Sequence, residues 1–164
     1  MKISFIYMAS GFGSRFGSNK LLVPFKGKAL YRHGLDCICR AAGELEKEGY
    51  QTEVLVVSQY EEILEQAESQ GLRAVLNRFS GQGITASLRL GTDSASPESE
   101  ALLFSVADQP YMSPFTLKEF IRGFRLAGKG MGCVCHQGKR GNPAIFASAY
   151  REELMGFAET GEEA

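Results

Sequence analysis

Two cations and three glycines gather near the start of the chain, in Met8-Ala-Ser-Gly-Phe-Gly-Ser-Arg-Phe-Gly-Ser-Asn-Lys20. Gly11, Gly13 and Gly17 let the backbone take positive φ and come close to a ligand. Successive N–H groups in such a loop form an anion-binding concavity. Arg15 offers a planar fork of donors that suits phosphate oxygens, and Lys20 a mobile point charge. Together these residue types suit the wrapping of a polyphosphate. The spacing is not that of a P-loop, because Lys20 has no glycine before it and is followed by Leu21. It also misses G-x-G-x-x-G by one residue. The plainer alternative is a glycine-rich strand-to-helix turn without a ligand.

A carboxylate follows a second apolar run. Ala101 to Ala107 stops at Asp108-Gln-Pro110, so Asp108 is expected at the end of a strand. It is either a turn aspartate ahead of a proline or a ligand for Mg²⁺, a hard ion that takes carboxylate and phosphate oxygens. Asn77 to Gly83 forms a second glycine-bearing loop that runs into a helix at Ile84, and Gly138-Lys-Arg-Gly141 a basic loop. Basic loop residues either meet an anion or are simply solvated. Cys133, Cys135 and His136 share one predicted strand, but no C-x₂-C spacing is present, which favours buried thiols over structural zinc. His33 and His136 are weak candidates for a general base.

The first stretch resembles the signature L-A-[AG]-G-x-[GS]-x-R-[MF]-G-x-x-K of the MobA-like nucleotidyltransferases, whose fold is shared with sugar-nucleotide pyrophosphorylases. Met8 and Ser10 are the departures, and both keep size or smallness. Ala107-Asp108-Gln109-Pro110 is similar to the family's [GA]-D-x-P, whose aspartate binds Mg²⁺. Asn77, Gly83, Ser87, Leu88 and Gly91 match N-x-x-[WY]-x-x-G-[ML]-x-x-S-[LI]-x-x-G of the cytidylyl-transferring subgroup, with Phe79 and Ile84 as mild departures. Arg140-Gly-Asn-Pro143 resembles R-G-[HN]-P.

The resemblance implies a Mg²⁺-dependent enzyme. Nucleotide binding would fall to Met8, Ala9, Ser10, Gly11, Gly13, Arg15, Lys20, Asn77, Gly83 and Ser87. Arg15, Lys20 and Asp108 would be catalytic, Arg140 and Asn142 would face the acceptor, and Asp108 with Glu162 would hold the metal. It implies CTP as nucleotide and a molybdopterin-type acceptor, with a molybdoenzyme or its maturation factor as a further partner. Guanylyl-transferring relatives carry two glycines after the L-A opening and an aspartate before the lysine; here Ala9-Ser10-Gly11 and Asn19-Lys20 stand instead. Ser10 is expected to add a polar contact near the base. Glu162 stands where the family has an aspartate, and the domain, 1–164, is expected to be short at its carboxyl end relative to the family. Two other readings stay open: transfer to a sugar phosphate or another small acceptor, and an accessory protein that binds nucleotide or cofactor without turnover.

The elements that must carry these loops are legible as alternation. Strands are predicted at Ile3 to Tyr7, Glu53 to Val57, Leu72 to Leu76, Ala101 to Ala107 and Met131 to His136, with a short one from Ala144 to Ala147. Helices are predicted from about Ala29 to Lys47, Glu61 to Gln70, Ile84 to Gly91, Pro114 to Ala127 and Ala149 to Phe157. Strands alternating with helices give an α/β fold, here a Rossmann-like three-layer α/β/α nucleotidyltransferase fold with a mostly parallel sheet. Ligands in such sheets sit beyond the carboxyl ends of the strands, where the loops 9–20, 77–83 and 108–112 fall.

Composition adds limits. At 164 residues the chain fits one domain and can bury a core without staples. A net charge of −1 gives no general pull towards nucleic acid, so a nucleotide needs a local patch. The four cysteines read as reduced cytoplasmic thiols, and no segment approaches the roughly 20 apolar residues of a membrane span.

Overall fold

The computed structural model of the chain describes residues 1–11, 19–109 and 112–160. A six-stranded sheet forms the middle layer. Strands β1 (Lys2–Met8), β4 (Gln51–Ser58), β5 (Arg73–Leu76) and β6 (Ala101–Val106) run parallel; β8 (Lys139–Ala147) is antiparallel to β6, and β7 (Met131–His136) antiparallel to β8. The spatial order is β5-β4-β1-β6-β8-β7, and β2 (Pro24–Phe25) and β3 (Lys28–Ala29) make a separate two-stranded ribbon.

β1 is central because its side chains are apolar on both faces, as a strand covered twice must be. Ile3, Phe5 and Tyr7 pack with Leu35, Ile38 and Leu45 of α1 (Leu30–Lys47), Ile63 of α2 (Glu61–Ser69) and Leu117 and Ile121 of α4 (Pro114–Ala127). Ile6 and Met8, on the other face, pack with Leu88 of α3 (Ile84–Ser94) and Leu154 of α5 (Arg151–Thr160). Two glycines mark where helices press on β1. A Cβ on Gly34 in α1 would stand 2.5 Å from the Tyr7 hydroxyl, and one on Gly91 in α3 would collide with Ile6 Cγ2. Tyr7 is fully buried and its hydroxyl donates to Tyr31 O at 2.6 Å. Burial raises its pKa far above the ordinary tyrosine value.

α4 starts as its sequence requires. Ser113 caps it by accepting from the Thr116 N–H, with Pro114 in the first turn, and Gly128 closes it in the left-handed conformation at φ 62°. Arg151, at the start of α5, reaches back to the Thr92 and Ser96 carbonyls at the end of α3 and so ties the two helices of that layer.

The carboxyl-side hairpin differs from expectation. Lys139 to Gly141 is not a loop but the start of β8, paired with β7 through Gln137 (φ 51°) and Gly138 (φ 77°). Positive φ at both central residues is what a two-residue hairpin needs to match strand twist. The register shifts between Cys133 and Val134, where Asn142 and Pro143 stand unpaired on β8. Proline cannot donate to the ladder, so a bulge is its place in a sheet. The cysteines also divide. All four are free, Cys37 is buried with its thiol pushed up to about 11 by desolvation, and Cys135 is exposed. The buried-thiol expectation therefore fails for Cys135.

Towards the amino end of β4, away from the cavity end of the strands, Glu53 is held in a polar knot. It accepts from Ser4 Oγ at 2.5 Å, the Ser96 N–H at 2.6 Å and Arg73 Nη1 at 3.2 Å. Burial opposes its ionisation, but the hydrogen bonds from Ser4, Ser96 and Arg73 outweigh it, and its pKa lies below the ordinary glutamate value. A depressed carboxyl contributes stability above its unfolded pKa of about 4.3 and loses it as pH falls through the folded value. Glu53→Gln is therefore expected to lower unfolding free energy by about 1–3 kcal/mol at neutral pH. The difference should shrink in acid, where both side chains are neutral; urea unfolding at neutral and acid pH measures it.

Candidate active site

The parallel strands end on one side of the sheet, and their last residues open a cavity of about 310 Å³. Its walls include Met8, Ser10 and Gly11 after β1, Lys20 and Leu21, Ser80, Gly83, Ile84 and Ser87 around the start of α3, and Val106, Ala107 and Asp108 after β6. The crevice lies beyond the carboxyl ends of adjacent parallel strands, where open α/β sheets hold ligands.

Each wall is fixed by its local sequence. Leu21 is buried and anchors a short 3₁₀ turn, Lys20–Leu22, capped by Asn19 Oδ1 accepting from the Leu21 N–H at 3.0 Å. That turn sets Lys20 at the cavity edge, with Nζ 3.7 Å from Asp108 Oδ2 and both side chains about half exposed. Gly83 has φ 83°, a backbone that L side chains resist, and begins α3 there. The helix N-terminus thus opens on the cavity with its positive dipole end, which favours anions.

Asn77 lies beneath the wall and not on it. It is almost wholly buried, its Nδ2 donates to Ser87 Oγ at 3.1 Å, and its Oδ1 accepts from the Phe79 N–H. It therefore shapes the second loop and orients Ser87. The Ser10 hydroxyl donates to Val57 O at 3.2 Å, so that donor is engaged with the neighbouring strand. Ala9 is fully buried, and its carbonyl accepts from Ser58 Oγ. Three residues with no motif to announce them, Ser58, Gln59 and Tyr60, hold the carbonyls of Ala9, Ser10 and Gly11. Their one sequence signal is position, directly after an apolar strand.

A second groove, about 610 Å³, adjoins the first and shares Met8 and Ile84 with it. Leu88, Phe104, Ala144, Phe146 and Leu154 give it an apolar lining, and Arg140, Asn142 and Cys133 supply polar groups. Arg140 and Asn142 therefore lie together in a compartment next to Lys20 and Asp108, not among them. Gly13, Arg15 and Glu162 lie outside the described residues.

Among the described residues no group of three His, Cys, Asp or Glu side chains could cage a metal. Asp108 is a single half-exposed carboxylate at the cavity, which is chemically able to hold a hard divalent ion only together with other oxygens, such as substrate phosphates. Residues 5–164 match the MobA-like NTP transferase domain. The chain belongs to the MobA-like NTP transferase family.

Solved structures with the same fold as this MobA-like chain include Rv0371c from Mycobacterium tuberculosis H37Rv in complex with manganese, 20% identical with a TM-score of 0.74 over 94% of this chain and 76% of that one. The molybdopterin-guanine dinucleotide biosynthesis protein A of Archaeoglobus fulgidus is 20% identical, with a TM-score of 0.66 over 100% and 76%. CMP:2-keto-3-deoxy-manno-octonic acid synthetase complexed with CTP is 15% identical, with a TM-score of 0.71 over 99% and 80%. No curated protein matches the sequence at a significant level. The fold class expected of a MobA-like chain is thus observed. No helix among the described residues is long and apolar enough to cross a membrane.

Proposed function

We propose that this protein is a cytoplasmic, Mg²⁺-dependent nucleotidyltransferase that moves CMP from CTP to the phosphate of a molybdopterin-type acceptor. The observation that carries the reading is the pair of compartments. One is lined by Ser10, Gly11, Lys20, Ser87 and Asp108, and the other, across Met8 and Ile84, holds Arg140 and Asn142.

In this reading the triphosphate lies against Ser10, Gly11, Lys20 and the start of α3. Arg15 and Gly13 are assigned to the phosphates by the signature resemblance alone. Asp108 holds Mg²⁺, with Glu162 as a second carboxylate, and the ion neutralises charge on the phosphates when bound. Arg140 and Asn142 hold the acceptor so that a phosphate oxygen attacks the α-phosphorus. The bond from the α-phosphorus to the bridging oxygen breaks, and pyrophosphate leaves. A nucleophile that is already a phosphate needs no general base, so positioning and charge neutralisation do the work. The choice of a molybdopterin-type acceptor over a sugar phosphate rests on the subgroup resemblance, and Arg140 and Asn142 are the polar side chains that the second groove offers it.

The choice of CTP rests on the subgroup resemblance of the Asn77–Gly91 segment and on Asn19 before Lys20. A pocket shaped for a pyrimidine excludes a purine by its size. Incubation with Mg²⁺, molybdopterin and each nucleoside triphosphate should release pyrophosphate with CTP first. In competition binding CTP should displace a labelled nucleotide at lower concentration than GTP. Equal or tighter binding of GTP overturns the cytidylyl assignment. Tight binding without pyrophosphate release supports the accessory-protein reading instead.

A further inference from the structure

Three consecutive side chains at the end of β4 grip three consecutive carbonyls after β1. Ser58 Oγ donates to Ala9 O at 2.6 Å, Gln59 Nε2 to Ser10 O at 2.8 Å, and Tyr60 Oη to Gly11 O at 2.6 Å. Up to this point β1 behaves as a regular parallel strand. Met8 O accepts from the Ala107 N–H on the β6 side, and the Ala9 N–H donates to Val57 O on the β4 side. In an extended strand the next residue would again turn both its N–H and its C=O to the β6 side. The Ser10 carbonyl does not: Gln59 draws it back.

A trans peptide is planar, with its C=O and N–H pointing opposite ways. The Ser10 N–H therefore points away from Ser58, and the Gly11 N–H points away from Gln59. Both face the side on which Asp108 stands, and neither has a partner among the described residues. Two successive N–H groups aimed the same way form the anion-binding concavity that an alternating strand cannot. Gln59 has a second duty. Its Oε1 accepts from Ser80 Oγ at 2.9 Å, so one amide ties the loop after β1 to the loop before α3, and Ser10 and Ser80 both line the 310 Å³ cavity.

We infer that Ser58, Gln59 and Tyr60 are positioning residues that turn the Ser10 and Gly11 amides to the phosphates, and that Gln59 also sets the spacing of the two loops around the nucleotide. This rests on the cavity being the nucleotide site. The three residues touch no substrate themselves. Ser58 is fully buried and its hydroxyl also accepts from the Tyr60 N–H at 3.0 Å, so its substitution disturbs folding. Gln59 and Tyr60 are partly exposed and are the positions to change.

The test uses ¹⁵N-labelled full-length protein, Mg²⁺ and inorganic tripolyphosphate, which carries the phosphates without a base. In the wild type the amide signals of Ser10 and Gly11 should shift on titration. Tyr60→Phe loses one hydrogen bond and is expected to weaken tripolyphosphate binding about fivefold; Gln59→Leu loses two, for about thirtyfold. In both, the Ser10 and Gly11 shifts should shrink while the remaining amide signals keep the dispersion of the folded wild type. A merely structural role would not change those two amide shifts selectively. If the wild type binds tripolyphosphate and neither folded variant weakens it, the positioning role is overturned and the nucleotide site stands. If the wild type binds neither tripolyphosphate nor any nucleoside triphosphate, both fall. Tyr60→Phe, which removes one oxygen, decides the matter should Gln59→Leu not fold.

Discussion

Asp108→Asn is expected to remove metal-dependent pyrophosphate release, by about 10²–10³-fold or more, while leaving the protein as stable as before. The carboxylate stands beyond the end of β6 and is 48% exposed. Its ion pair with Lys20 is solvent-facing, a class of interaction worth about 0–1 kcal/mol. The substitution keeps shape and removes charge, so any loss reports the charge alone. A Mg²⁺ titration of pyrophosphate release, set beside a thermal melt, checks it. Unchanged Mg²⁺ dependence in the folded variant would place the metal elsewhere, with Glu162 the next carboxylate to examine.

Lys20→Ala carries the second large effect. The side chain is delivered by a turn that Leu21 and Asn19 fix without its help, so the fold should survive. Its ammonium would meet charge that grows on the leaving pyrophosphate, and loss of one such partner typically lowers kcat by about 10²–10³. The same ammonium stands 3.7 Å from the Asp108 carboxylate. Removing it therefore should not weaken Mg²⁺ binding measured without nucleotide, and should strengthen it if anything. Lys20→Ala and Asp108→Asn thus separate: both lose turnover, and only the aspartate variant loses the metal. Near-normal kcat in folded Lys20→Ala protein would end the assignment of that residue.

The alternating architecture was legible because its strands are apolar on both faces and its helices carry apolar stripes. Ile3 to Tyr7 and Glu53 to Val57 fall within the observed β1 and β4, and Ser113-Pro114 marks the start of α4. Lys139 to Gly141 read as a loop because charge and glycine dominate it. It is a strand because β7 supplies its hydrogen bonds and solvent takes its side chains, and composition does not record pairing. Around the cavity, Lys20 stood out as a cation closing a glycine-rich loop and Asp108 as a carboxylate directly after an apolar strand, while Gly83 and Ser87 were legible only through the resemblance to the cytidylyl-transferring subgroup. Asn77 was legible as a residue of the site and not as a buried one, because its partner Ser87 is ten residues away on a helix. Gln59 and Tyr60 were invisible for the same kind of reason: their contacts lie 49 residues upstream, and nothing local requires them.

Met8 and Ile84 border both compartments, so these two residues are what separates them. A single molecule that reached over them would lie across both, with a phosphate-bearing head beside Lys20 and an apolar tail over Phe104 and Leu88. For such a tethered compound the second arm binds intramolecularly, at an effective concentration in the millimolar range for a short linker. Overall avidity can then exceed that of either arm by about 10²–10⁴. Met8 and Ile84 are the two side chains over which the linker must pass, and their size sets how thick it can be.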